Sequence, residues 1–325
     1  MKLLKTTLTY LALVILLSFP FWIYFKAQSL TDWWQLRNYT PPAAVIELSS
    51  QDGMTAYATH VFYVNHPAVE SKVSQFRMDC KESEKTIVLG CYHSNQAGIF
   101  VYMVDDPRLS GVQQVTAAHE MLHAGYDRLN TKEKRSVNAM LEEYYKTVKD
   151  QRIIDTINSY KESEPNDVVN EMHSIFGTEI ASLPTPLEKY YSRYFTNRAA
   201  VVGFANNYQN EFTSRSDQVK ADDAQLAALK ASINSQENSL QILLVKVNSD
   251  RDRLDSLRSG GQIQSYNAGV ASFNSEVDDY NFGVKKLKVD IAAYNSLVAK
   301  RNTLAEELAS LSKSLDTRLT PQATQ

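Results

Sequence analysis

Residues 112–124 read Val-Gln-Gln-Val-Thr-Ala-Ala-His-Glu-Met-Leu-His-Ala, with neither proline nor glycine. Val112, Val115, Ala118 and Leu122 recur at helical spacing, so a helix with one apolar side is expected over 112–129. His119 and His123 are four apart, which stacks them on one helix face. Two imidazoles placed this way suit a single zinc ion. Glu120 then projects beside the metal, where a carboxylate can take a proton from water. Thr116, Ala117, Ala118 and Ala124 around the motif are small and uncharged, as a helix packed closely behind a metal site requires.

Upstream, Thr86–Tyr92 and Ile99–Val104 are β-branched and aromatic runs separated by the polar turn Ser94–Gly98, the pattern of a β-hairpin. Asp105-Asp106-Pro107 ends the second run. That run is expected at a sheet edge, where an extended substrate can add as a further strand. Downstream, helices are expected at 132–148 with Thr131 as N-cap, at 152–161, at 166–176 and from Pro186 onward. Strands followed by helices give an α+β domain over 51–198.

Thr116–Ala124 resembles the signature of the zincin metallopeptidases, although Gly125 stands where a hydrophobic residue is usual. A second stretch, Asn170-Glu171-Met-His173-Ser174-Ile175, resembles the Asn-Glu-x-x-Ser-Asp motif of the gluzincins, with Ile175 in place of the Asp. By this resemblance the ligands of one zinc ion are His119, His123 and Glu171. His173 and Glu179 are the alternatives for the third position. Glu171 and His173 are two apart on a helix and point in different directions, so both cannot easily bind one metal. The resemblance implies peptide hydrolysis with Glu120 as general base. Donors to a developing oxyanion are sought in His173 and in the cluster Tyr190, Tyr191, Arg193 and Tyr194. Asp127, four beyond His123, is a candidate to orient a zinc-binding histidine.

The last third differs in kind. Val219, Leu226, Ile233, Leu240, Val247 and Leu254 recur every seven residues, with Leu229, Leu243 and Leu257 in the intermediate row. After Ser259-Gly260-Gly261 the pattern resumes as Ile263, Val270, Val277, Val284, Ile291 and Val298. Its second row is Tyr266, Phe273, Tyr280, Leu287 and Tyr294, and Leu308 and Leu315 follow. These heptads predict an antiparallel coiled-coil hairpin over 199–318, turning at 258–262, with arms of roughly 80 Å. Asp222, Gln236, Asp250 and Arg301 interrupt the seam and are expected to set its register or to weaken it locally. Such a hairpin fits recruitment of a protein partner or self-association. It also supports a reading from another class, a tethering or scaffold protein of the cell envelope whose zincin-like domain is inactive.

Residues 8–25, after Lys2 and Lys5, are apolar and uncharged, about the length of a membrane-spanning helix. The expectation is a single-pass signal anchor with residues 1–7 cytoplasmic and the body extracytoplasmic, or a secreted body if the segment is cleaved. Residues 26–50, with Trp33, Trp34 and Pro41-Pro42, are read as a juxtamembrane linker, and 319–325 as a tail. Cys80 and Cys91 are the only cysteines and are expected to form a disulfide in an oxidising compartment. Basic and acidic residues number 34 and 37, a net charge of -3, which offers no electrostatic case for nucleic acid. The expected partners are peptide or protein substrates, including cell-wall peptide, and the membrane.

Overall fold

A computed structural model describes residues 27–80 and 88–318. The described residues form two compact units, one running to Gln209 and resuming at Ser314, the other spanning Asn210–Lys313. The first unit is α+β. Its helices are α1 (residues 27–36), α2 (Ala43–Gln51), α3 (Ala56–Tyr63), α4 (Val73–Asp79), α5 (Val112–Asp127), α6 (Thr131–Tyr145), α7 (Gln151–Ser163), α8 (Val168–Glu179) and α9 (Thr185–Tyr191). Helix α10 (Arg198–Ser259) starts in this unit. Three strands, β1 (Ala68–Glu70), β2 (Gly90–His93) and β3 (Gly98–Tyr102), form a small sheet in the order β1-β3-β2.

The sheet corrects one expectation. β3 is central, not an edge: β1 pairs with it in parallel through Ala68 opposite Phe100, and β2 pairs on its other side antiparallel. A three-residue strand carries no periodicity to read, so β1 was invisible in the sequence. The edges are β1 and β2, and β2 is the one beside α5. Of the first predicted strand, Thr86 and Ile87 lie outside the described residues, and regular pairing begins at Gly90. The Cys80–Cys91 disulfide ties the end of α4 to β2, and Phe76 packs beside it.

Helix α5 is the centre of the unit, packed by α2, α3, α8, β2 and β3. Val115, Ala117, Ala118, Met121, Leu122 and Ala124 are all buried, so the helix is covered on nearly every side. Removing Met121 or Leu122 from water is worth about 1.5–3 kcal/mol each. Small residues at 117, 118 and 124 let neighbours approach closely. Gly125 is the extreme case, because a Cβ there would stand 2.5 Å from Cε1 of Tyr194. The place where a hydrophobic residue was expected is filled by the Tyr194 ring from another segment.

Helix α6 starts one residue earlier in its capping than expected. Asn130 is the N-cap: its Oδ1 accepts from the N–H groups of Lys132 and Glu133, and Glu133 accepts from the Asn130 N–H, a reciprocal capping box. The stretch 26–50, read as a linker, holds α1 and α2, and Val45 and Leu48 of α2 join the core. Asp32 of α1 is pinned by Arg128 at 2.7 and 2.9 Å and by His60 at 2.8 Å. Trp33 and Trp34 are exposed. No helix among the described residues is long and apolar enough to cross a membrane, and the segment 8–25 read as an anchor lies outside them, as do residues 1–7 and the tail 319–325.

The second unit is a hairpin of two long helices, α10 and α11 (Ile263–Leu315), joined by a turn at Gly260 and Gly261. Gly261 has φ +77°, a left-handed conformation that glycine adopts without strain. Leu254 meets Gly269 and Leu240 meets Gly283 across the seam. The polar interruptions of the heptads are paired. Asp222 accepts from Lys300 at 2.9 Å, Arg301 donates to Asp223 at 2.9 Å, and Gln236 donates to Asp290 at 2.5 Å. Asp250 bonds Lys246, which also reaches Glu276 on the other arm. These cross-arm pairs fix the register.

Candidate metal and active site

Two local facts place the first two candidate ligands. His119 and His123 project from one face of α5, with ring centroids 4.8 Å apart. Helix α8 packs against α5 and brings Glu171, in its first turn, opposite them. Glu171 Oε1 lies 3.4 Å from His123 Nε2, and Oε2 lies 3.5 Å from His119 Nε2. One ligand atom from each of the three residues falls within 4.8 Å of the others, so the group can hold a metal ion. Glu171 Oε2 is buried without a hydrogen-bond partner, an acceptor left for a cation.

The electrostatics are those of a tight cluster at the wall of a cavity. Burial opposes a charged His119, but the Glu171 carboxylate outweighs it, with Glu120 adding, and lifts the pKa to about 9. Burial lowers that of His123. Burial pushes Glu171 up, yet the charge of His123, then His119 and the Tyr160 hydroxyl, hold it below the usual carboxylate range.

These residues open on a cavity of about 450 Å³. Its walls are α5 with Glu120 and Asp127, the end of α7 with Tyr160, the start of α8, and the edge strand β2. Gly90 of β2 lies directly on Glu120, where a Cβ would stand 2.9 Å from the carboxylate Oε1 and 2.4 Å from Cγ2 of Thr116. Tyr160 is held in its neutral form by burial and by the charges of Glu171 and Glu120. Its hydroxyl is therefore a proton donor facing the cluster.

The other sequence candidates lie elsewhere. His173 points to the opposite side of α8, fully buried, with Nε2 2.9 Å from the Tyr190 hydroxyl. Tyr190 contacts Tyr194 at 3.2 Å, and the Tyr191 hydroxyl donates to the His173 carbonyl at 2.7 Å. This is an edge-to-face aromatic cluster, and none of the three tyrosines lines the cavity. Burial keeps His173 neutral, with a pKa well below the ordinary value. Arg193 pairs with Glu133 at 3.0 Å. Glu179 is taken by Arg152 at 2.5 Å and Gln209 at 3.0 Å. Asp127 lines the cavity but accepts from Tyr92 at 3.1 Å. Sequence reasoning missed Tyr160, one tyrosine among 18 with no motif around it. It also missed the role of Gly90, which shows only once β2 is laid over α5. Comparison with protein-family models, characterised proteins and solved structures finds no match.

Proposed function

We propose that this chain is a zinc-dependent peptidase, zincin-like in its site, whose N-terminal segment anchors it to a membrane with the body outside the cytoplasm. The observation that carries this is the convergence of His119, His123 and Glu171 beside Glu120, in a cavity roofed by an edge strand. Two imidazoles and one carboxylate are the donor set of a catalytic zinc site, which leaves a position for water or substrate. When bound, zinc supplies a Lewis acid that polarises the scissile carbonyl and acidifies water.

The chain's own residues do the rest. Strand β2 is an edge strand of the sheet, along which an extended peptide can hydrogen-bond. Glu120, against which Gly90 of β2 is closely set, accepts the proton of the attacking water and passes it to the leaving amine. Tyr160, neutral and buried, positions Glu171 and is placed to donate towards negative charge developing in the cavity. The second reading, a tethering protein, draws support from the exposed apolar residues Ile242, Val245, Phe282 and Val289 on the hairpin, which suit contact with a partner.

The two readings separate on the purified chain. A peptidase binds about one zinc per chain and cleaves peptides. Glu120→Gln keeps the zinc and lowers hydrolysis by about 10²–10⁴-fold. Absence of zinc binding near neutral pH, or unchanged cleavage by Glu120→Gln, refutes the proposal.

A further inference from the structure

Helix α1 carries two faces of opposite character. Asp32 faces the body. It is buried, and its carboxylate is bonded by Arg128 just beyond α5, by His60 of α3 and by Gln96 of the turn between β2 and β3. Leu30, Trp33, Trp34 and Arg37 follow the spacing i, i+3, i+4, i+7, which is one stripe of a helix. The Arg37 N–H bonds the Trp33 carbonyl at 3.0 Å, so the stripe continues over the helix end. This stripe faces solvent: Leu30 is 42%, Trp33 64% and Trp34 57% exposed, which excludes packing in the body as the role of the indoles. Two neighbouring rings left in water forgo the burial that such side chains usually supply. The Arg37 guanidinium lies over the Trp34 ring, with Cζ 3.4 Å from its centroid. Asp32 and Arg37 are the only charges in residues 27–38, and the carboxylate is turned inward. The outer stripe is therefore apolar with one positive end.

We infer that the stripe Leu30, Trp33, Trp34 and Arg37 lies in the headgroup region of a lipid membrane, with α1 along the surface. The occupant follows from where the stripe sits in the chain. Residues 8–25 are apolar and uncharged, and they end two positions before α1 begins. With those residues as the anchor, Trp33 lies within about 12 Å of helix, or about 28 Å of extended chain, from the edge of the hydrocarbon. The inference rests on the anchor part of the proposed function and adds a second lipid contact. Tryptophan suits the interface because its ring is apolar and its N–H is polar. Arg37 reaches the phosphates. A helix lying in the surface sinks such a stripe about 5–10 Å into the headgroup boundary. The bonds of Asp32 on the opposite face then hold the end of α5 and the β2–β3 turn to the lipid-bound helix.

The test uses the full chain with Trp22→Phe, reconstituted in vesicles of phosphatidylcholine and phosphatidylglycerol. The sequence has three tryptophans, so only Trp33 and Trp34 then emit. Phosphatidylcholine brominated on the upper part of its chains lowers their emission by about half or more, and lipid brominated near the chain ends lowers it less. Acrylamide in the medium quenches both rings less than it quenches a free tryptophan derivative. Arg37→Glu, which sets a negative charge against the phosphates, weakens the quenching by brominated lipid. Emission that ignores the bromine, in chains that float with the vesicles, overturns the inference and leaves the anchor standing. Shielding from acrylamide without quenching by bromine means that a protein surface, such as a second copy, covers the stripe, and overturns it too. A chain that does not float with the vesicles refutes the anchor, and the docking of α1 falls with it.

Discussion

Gly90→Ala tests how closely strand β2 is set against Glu120. The added Cβ would stand 2.4 Å from Thr116 Cγ2 and 2.9 Å from Glu120 Cγ and Oε1. Carbon atoms in contact normally keep about 3.5–4.0 Å, so two contacts at once are short by more than half an ångström. Thr116 has little freedom to yield, because a β-branched side chain on a helix is stiff at χ1. Glu120 is 7% exposed and has little more room. Strand β2 must therefore lift from α5, at a cost of about 1–3 kcal/mol. For a unit of this size that lowers Tm by roughly 2–4 °C per kcal/mol. Scanning calorimetry of the full chain gives the shift, and metal analysis gives the zinc content. Zinc is retained, since His119, His123 and Glu171 come from α5 and α8 and none from β2. Peptide hydrolysis falls by more than about tenfold as Glu120 is displaced. Adding Thr116→Ser removes Cγ2 and restores part of the Tm, while hydrolysis stays low because the contact with Glu120 remains. An unchanged Tm and unchanged hydrolysis in Gly90→Ala would refute the packing of β2 on Glu120.

Glu171→Ala lowers zinc affinity far more than His173→Ala, measured by competition with a chelating dye. His173→Ala instead lowers Tm, by about 2–4 kcal/mol of lost packing, because the ring lies in the aromatic core. The reverse order would move the third ligand to His173. Asp32→Asn costs about 1–3 kcal/mol at neutral pH by urea unfolding. Burial raises the Asp32 pKa, but hydrogen bonds from Arg128, His60 and Gln28 override it and hold it well below the usual carboxylate range. Its contribution is thus complete above the unfolded value of about 4 and is lost as pH falls below it. The wild-type advantage over Asp32→Asn should shrink from pH 5 downward, and a constant difference would refute the linkage. Cys91→Ser, or reduction, lowers stability by about 2–3 kcal/mol and loosens β2, with loss of hydrolysis before loss of zinc. Equal loss of both would place the disulfide outside the edge strand's support.

The hairpin was the most legible part of the fold. A seven-residue period repeated over two arms is a long signal, and each row faces only its partner arm, so the sequence carries the contact pattern by itself. Even its breaks are intelligible, because Asp222, Gln236 and Arg301 meet Lys300, Asp290 and Asp223 across the seam. The N-terminal stretch was less legible. Helix α2 has nine residues, too short for a periodic signal, and Pro41-Pro42 before it reads as a linker. What holds α1 in place is Asp32, and its partner Arg128 lies 96 residues away, where no local pattern can reveal it.

The same distinction explains the site. His119, Glu120 and His123 were readable because helix geometry fixes their relations within one turn. Glu171 and His173 were separable because residues two apart diverge, and the structure turns the first to the histidines and the second to Tyr190. The tyrosines at 190–194 were misplaced for the opposite reason. Their spacing is right for a helix face, but which face meets the cavity depends on how that segment docks. It docks with Tyr194 against Gly125 and Tyr191 against Gly177, away from His119, His123 and Glu171. The glycine that broke the motif at 125 was thus a record of this docking. A bulkier residue there would have to displace a buried aromatic ring, so glycine at 125 marks a packing requirement behind the candidate site and leaves the positions of His119, Glu120 and His123 unaffected.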